Sequence, residues 1–125
     1  MTSSRKQAER IGRAAENYAA FVLRLKGYHI ITRRHKTPFG EIDLIAQKAR
    51  MLIFIEVKYR RDISALPASL TPVGQNRIIK AADYYISRKP AVQNLGSRFD
   101  LILTAPLGLL PLGYMQHIKD AWRAY

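Results

Sequence analysis

Cysteine is absent from the 125 residues, which excludes both a disulfide framework and a thiolate zinc site. No apolar stretch approaches the length that crosses a bilayer. The opening Met1-Thr2-Ser3-Ser4-Arg5-Lys6 is polar and lacks the hydrophobic region of a secretion signal. A cytoplasmic protein is expected on both counts. Internal repeats and low-complexity segments are missing too. Acid is scarce: 9 Asp plus Glu stand against 21 Lys plus Arg, for a formal net charge of +12.

What is present describes one globular domain spanning residues 1–125. Hydrophobic residues make up 48% and charged residues 24%, a balance that folds around a real core. A pI near 10.4 points to a polyanionic partner, nucleic acid before any other. A membrane surface suits the chain less, because the basic residues are not gathered on one amphipathic helix. A basic ribosome-associated protein is the bland alternative. Against it stands the placing of the acids, three of which (Glu41, Asp43 and Glu56) fall in two short apolar runs.

Those runs are Gly40-Glu41-Ile42-Asp43-Leu44-Ile45-Ala46 and Leu52-Ile53-Phe54-Ile55-Glu56-Val57-Lys58. Carboxylates inside β-prone apolar sequence are costly unless something uses them. Glu56 and Lys58 share one face of a strand, as do Glu41 and Asp43. A hairpin between the runs brings all four together. That is the arrangement a divalent-cation phosphodiesterase requires.

The surrounding pattern predicts α-β-β-β-α-β with a β-like tail. Residues Ser4 to Lys26 read as a helix with an apolar stripe of Ile11, Ala15, Tyr18, Val22 and Leu25. Ser3 or Ser4 is its candidate cap and Gly27 its stop. Tyr28–Arg34 reads as a first strand and His35–Gly40 as a loop. Glu41–Gln47 and Met51–Tyr59 read as strands joined by Lys48-Ala49-Arg50. Their nearly continuous apolarity suggests a sheet covered on both faces. Arg60–Pro72 is loop-like, and Pro72–Arg88 reads as a helix with Ile78, Ile79, Ala82, Tyr85 and Ile86 inward. Arg98–Thr104 is a strand, followed by an irregular hairpin with a last strand near Tyr114–Ile118. A helix between strands three and four permits a parallel crossover and so a mixed sheet.

The series Gly12-x3-Glu16, Gly40-Glu41-Ile42-Asp43-Leu44-Ile45-Ala46, Phe54-Ile55-Glu56-Val57-Lys58 and Arg98-Phe99-Asp100 resembles the bacterial YraN-like family. That family is similar to the restriction-endonuclease-like superfamily, in particular its Holliday-junction-resolvase branch. The resemblance covers nearly the whole chain. It implies an α/β restriction-endonuclease-like core with a mixed central sheet flanked by helices. It further implies a Mg²⁺- or Mn²⁺-dependent endonuclease acting on DNA, including branched DNA, and a homodimer. Asp43, Glu56 and Lys58 match the superfamily's metal-binding acids and lysine, Glu16 its helical acid, and Gln75 a polar supporting position.

Metal ligands are then Asp43, Glu56, the Val57 backbone carbonyl and Glu16, with Glu41 a supporting acid. A hard cation takes such oxygen ligands along with substrate phosphate. Lys58 is placed to stabilise charge on a reacting phosphate. Arg33, Arg34 and Lys36 before the acidic run, and Arg60 and Arg61 after it, are candidate phosphate contacts. Asp100 reads as a structural partner of Arg98, and the three histidines form no ligand set. The alternative function is a nucleic-acid-binding protein on the same fold that does not cleave.

Overall fold

The first helix, α1 (Ser4–Leu25), is free of proline and carries five alanines, the strongest helix former. It stops where expected. Gly27 takes φ 90° and the Tyr28 N–H reaches back to the Leu23 carbonyl at 3.0 Å, closing the last turn. The computed structural model describes residues 4–64 and 70–124, so Ser3 and part of the Arg60–Pro72 loop lie outside it. The buried stripe of α1 is Ala15, Ala19, Ala20 and Leu23, rotated from the expected one, and Leu25 is 71% exposed. Small alanines let the helix sit close on the sheet, and this outweighs the bulk of Leu25 at the helix end.

Five strands follow the order β1-β2-β3-β4-β5: β1 (His29–Thr37), β2 (Gly40–Lys48), β3 (Met51–Tyr59), β4 (Gly96–Leu107) and β5 (Leu110–Trp122). Helix α2 (Pro72–Ser87) links β3 to β4, which pair in parallel; every other pair is antiparallel. This is a restriction-endonuclease-like α/β core, with order α-β-β-β-α-β-β and a mixed sheet. Thr71 caps α2 through its Oγ1 to the Gly74 N–H, and Pro72 occupies the first turn.

Both sheet faces are covered. On one, Leu44, Ala46, Ile53, Ile55, Val57 and Ile102 pack against α1. On the other, Ile45, Leu52, Phe54 and Phe99 pack against Ile78, Ala81, Ala82 and Tyr85 of α2, while Ile79 and Ile86 are only half-buried. Phe54, Phe99 and Trp122 stack in sequence at centroid distances of 5.7 and 5.5 Å.

Two segments differ from the sequence expectation. The ladder carries β1 through His35–Thr37, with Lys36 opposite Glu41 and Thr37 opposite Gly40, so only Pro38 and Phe39 remain as the turn. Pairing with β2 satisfies the backbone there, and the Thr37 hydroxyl donates to the Gly40 carbonyl at 2.7 Å. The last hairpin is longer than expected, with Gly108 and Leu109 as its tight turn and the prolines on its flanks. Its irregularity is confined to register shifts between Phe99 and Leu101 and between Ala105 and Leu107.

One polar cluster crosses the core. Asp100 is fully buried and accepts from Arg98 Nε and Nη2, both at 2.8 Å, and from the Asp120 N–H at 3.0 Å. His117 Nε2 lies 2.7 Å from the same carboxylate, and Arg98 also reaches the Tyr28 hydroxyl. Burial by itself would raise the Asp100 pKa. The hydrogen bonds from His117, Arg98 and Asp120 overcome it and hold the carboxyl down at about 2. Its structural reading therefore stands.

A folded-state pKa below the ordinary 3.8 gives stability that is complete above that value and fades as pH falls towards about 2. Asp100→Asn should cost about 3 kcal/mol at pH 7, because Arg98 and His117 lose their charged partner. Urea unfolding from pH 7 down to pH 2 checks this: the acid limb of the stability curve should be shallower in the variant.

Candidate active site

The geometry begins with a ladder that stops. Strands β2 and β3 pair from Lys48–Met51 as far as Leu44–Ile55, and no pairing continues beyond. Outer neighbours β1 and β4 continue alongside, to Gly40 and Tyr59 respectively. A fork therefore opens between the two central strands at Asp43 and Glu56. Its freed Val57 N–H donates to Asp43 Oδ2 at 2.8 Å, so a side chain replaces the missing backbone partner. Alternation along β2 also breaks here: Ile42 and Ile45, three apart, both pack on the α2 side, while Leu44 packs on the α1 side.

Within the fork Asp43 lies beside Glu56. Burial, then the Glu56 charge, then hydrogen bonding with Glu56 push the Asp43 pKa up to about 9; the Val57 N–H opposes this, and the Glu16 charge adds to it. Glu56 is itself buried. Lys58 Nζ lies 3.2 Å from Glu56 Oε2, and Arg77 Nη2 from α2 comes to 3.9 Å of the same oxygen. Lys58 remains about a quarter exposed, so its ammonium faces the mouth of the crevice.

Glu16 projects from α1, where Arg34 Nε holds it at 2.6 Å. Arg34 takes φ 49° in the middle of β1, a left-handed conformation costing a non-glycine residue about 1–2 kcal/mol. The register passes from Arg33–Leu44 to His35–Ile42, so Arg34 stands opposite Asp43. This strained residue turns its side chain to the helical acid beside the fork. Arg33 in turn donates to Asn17 of α1. Lys36 and Glu41 line a groove of about 380 Å³ with Glu9, Gly12, Arg13, Glu16 and Arg34.

The structure thus brings Asp43, Glu56, Val57 and Lys58 together and sets Glu16 within electrostatic reach. Gln75 is half-buried in the first turn of α2, two residues before Arg77, and residues so spaced point to different sides of a helix. Arg77 is what the sequence reading missed. The signal for it was Gly40, whose φ of 129° and lack of a side chain leave room for the Arg77 chain; a Cβ there would lie 3.1 Å from Arg77 Cδ. Arg60 caps the end of β3, donating its N–H to the Thr104 carbonyl, and Arg61 is exposed.

The donor chemistry fits one divalent cation sparingly. Among the described residues no group of three or more His, Asp or Glu side chains gathers as a ligand set. Mg²⁺ nevertheless commonly takes only one or two protein carboxylates, and Asp43 beside Glu56 supplies such a pair.

An α/β core with an acid pair and a lysine at a fork in its central strands is the class of protein defined so far. By sequence the chain belongs to UPF0102, an uncharacterised protein family, which it matches over residues 15–104. This is the YraN-like group. It is 41% identical over 116 residues to a UPF0102 protein of Parvibaculum lavamentivorans, covering 93% of this chain and 84% of that one. A UPF0102 protein of Paramagnetospirillum magneticum is 41% identical over 120 residues, 93% of this chain and 89% of its own. One from Mesorhizobium japonicum is 39% identical over 121 residues, 97% and 93%. None of these names carries an activity. No helix among the described residues is long and apolar enough to cross a membrane.

Asp43 binds a proton in the folded state that the unfolded chain releases, since its folded pKa lies above the ordinary 3.8. The resulting penalty is absent below that value and grows until pH passes about 9. In chelator, the melting temperature should fall as pH rises from 5 to 9. Asp43→Asn should flatten that slope and melt about 4 °C or more above the wild type at pH 8. Parallel melting curves for the two proteins would show that Asp43 is not the group responsible.

Proposed function

We propose that this protein is a metal-dependent endonuclease that hydrolyses DNA phosphodiester bonds. The observation that carries the reading is the fork itself, where two carboxylates and an ammonium converge in a chain of net charge +12. A basic surface draws in a polyanion, and an acidic crevice within it suits a cation, not a phosphate alone.

In this reading Asp43 and Glu56 hold Mg²⁺ or Mn²⁺, with the Val57 backbone at their side. When bound, the ion supplies Lewis-acid neutralisation of charge on a phosphate oxygen. The chain's own groups do the remainder. Lys58 keeps a proton on Nζ at the crevice mouth and offers it to the charge that builds on the phosphate. Arg77 from α2 reaches the same Glu56 oxygen as Lys58, and Arg34 holds Glu16 beside the fork, so neither acid drifts. Arg60 and Arg61 at the end of β3, with Arg33 and Lys36 on β1, contact flanking phosphates.

A second reading, a nucleic-acid binder that does not cleave, is favoured by one feature. Lys58 and Arg77 already neutralise Glu56, and no third acid completes a ligand set among the described residues.

Binding of Mn²⁺ to the folded state stabilises it by RT ln(1 + c/Kd), where c is the free ion concentration, and so raises its melting temperature. The gain should disappear in both Asp43→Asn and Glu56→Gln; a gain retained by both would place the ion elsewhere. The deciding assay incubates the protein and Mg²⁺ or Mn²⁺ with labelled duplex, nicked, flapped and four-way-junction DNA. At least one is cut, and Lys58→Ala cuts about 100-fold more slowly while binding DNA unchanged. Asp43→Asn loses cleavage yet binds DNA about as tightly in chelator, because metal-free Asp43 already carries a proton below pH about 9. Absence of cutting on every substrate, with DNA binding retained, establishes the second reading.

A further inference from the structure

Beyond the crevice, the β4–β5 hairpin carries an apolar tip that nothing described so far employs. Sixteen residues from Leu101 to Gln116 are without charge in a chain otherwise dense in it. Ile102, Leu103, Thr104 and Ala105 are buried, but Leu107, Leu109 and Leu110 at the turn are 53%, 104% and 58% exposed. Leaving three leucines in water forgoes the burial free energy that keeps such side chains inside.

The tip is also fixed in place. Tyr59 Oη donates to the Pro111 carbonyl at 2.8 Å, and Tyr18 Oη from α1 donates to the Gly113 carbonyl at 3.0 Å. Leu107 packs so closely over Gly113 that a Cβ there would lie 2.9 Å from Leu107 Cβ. Its position is what gives it meaning. Tyr59 ends β3 opposite Thr104, and β4 continues to Leu107, so the tip stands past the Glu56–Lys58 end of the sheet. Arg60 is tied to Thr104 at its base, with Arg61 exposed beside it. On the far side of the fork the β1–β2 turn brings half-exposed Phe39 to the same end.

An aliphatic tip flanked by cations matches one surface in particular. Continuous duplex DNA presents phosphates outside and keeps its base faces stacked within. At a branch or nick the stacking is interrupted, and an apolar base face lies next to phosphate rails. Aliphatic wedges entering a base step are an established way for proteins to hold such a deformation. We propose that the β4–β5 tip is a wedge that enters the interrupted base stack of branched or nicked DNA, with Leu109 against the base face, and so selects structured DNA for the neighbouring crevice. This rests on the reading that the crevice takes DNA, and it is independent of cleavage.

The test measures binding in chelator, where no cutting intrudes. Probes are a four-way junction and a nicked duplex with 2-aminopurine beside the discontinuity, and a continuous duplex of the same sequence. Wild-type protein should bind the interrupted DNAs about tenfold or more tightly than the continuous one, with a rise in 2-aminopurine fluorescence. Leu107→Ser/Leu109→Ser/Leu110→Ser should abolish both the preference and the fluorescence change. Its affinity for continuous duplex, and the salt dependence of that affinity, should not move. Leu109→Ser alone should lose most of the effect, which keeps the test valid if the triple variant folds poorly. Preference retained in these variants, or absent from the wild type, overturns the wedge while leaving the DNA reading intact. Failure to bind any DNA overturns both. A wild-type dimer by sedimentation that becomes monomeric in the triple variant identifies the tip as a subunit interface and overturns the wedge.

Discussion

A single hydrogen bond, from the Val57 N–H to the Asp43 carboxylate, sets the geometry of one whole end of the sheet. Where two central strands part, each loses backbone partners, and a buried unpaired N–H costs about as much as a lost hydrogen bond. Asp43 supplies the acceptor that β2 no longer offers. With this in place β2 can diverge while β1 and β4 follow their own partners, and the crevice between them stays open. The cost falls on Asp43, which must sit half-buried beside Glu56 and within reach of Glu16. Structure and chemistry thus meet in the same carboxylate.

The two inward aspartates of the sheet make the contrast plain. Asp100 lies in β4, fully buried, and every hydrogen bond to it comes from a donor: Arg98, His117 and the Asp120 N–H. Its carboxyl is held down at about 2 and the arrangement is closed. Asp43 has one backbone donor and a carboxyl neighbour, and is pushed up to about 9. Burial opposes ionisation in both cases; the neighbours decide the outcome. The Asp100 cluster is closed by donors, whereas Asp43 faces a second carboxyl group and keeps its proton to higher pH.

Much of this was legible in the sequence. Continuous apolar runs with isolated acids gave away β2 and β3, and a helix between β3 and β4 allowed the parallel pair that the register confirms. Strand periodicity placed Glu56 beside Lys58 correctly. It failed for β2, where alternation predicts Ile42 with Leu44, because a fork breaks the pleat and no local signal announces it. Turn residues misled in a similar way. Gly108, Pro111 and Gly113 read as breaks, yet β4 and β5 pair into one long hairpin whose register shifts fall instead at Phe99–Leu101 and Ala105–Leu107. Arg34 was singled out only as a phosphate contact and Arg77 was signalled only by Gly40, since each holds its acid across a tertiary contact that the folded chain creates.

Those two arginines complete the electrostatic logic. A chain with +12 of formal charge has cations to spare, yet it directs specific ones inward to the few acids of the crevice. Gly40 surrenders its side chain so that Arg77 can pass, and Arg34 accepts a left-handed backbone so that it can hold Glu16. Both features work against stability where they occur, through backbone entropy in one case and steric strain in the other. Neither is required to hold the sheet, which is paired and covered on both faces without them. Both instead fix the acids around the opening between β2 and β3.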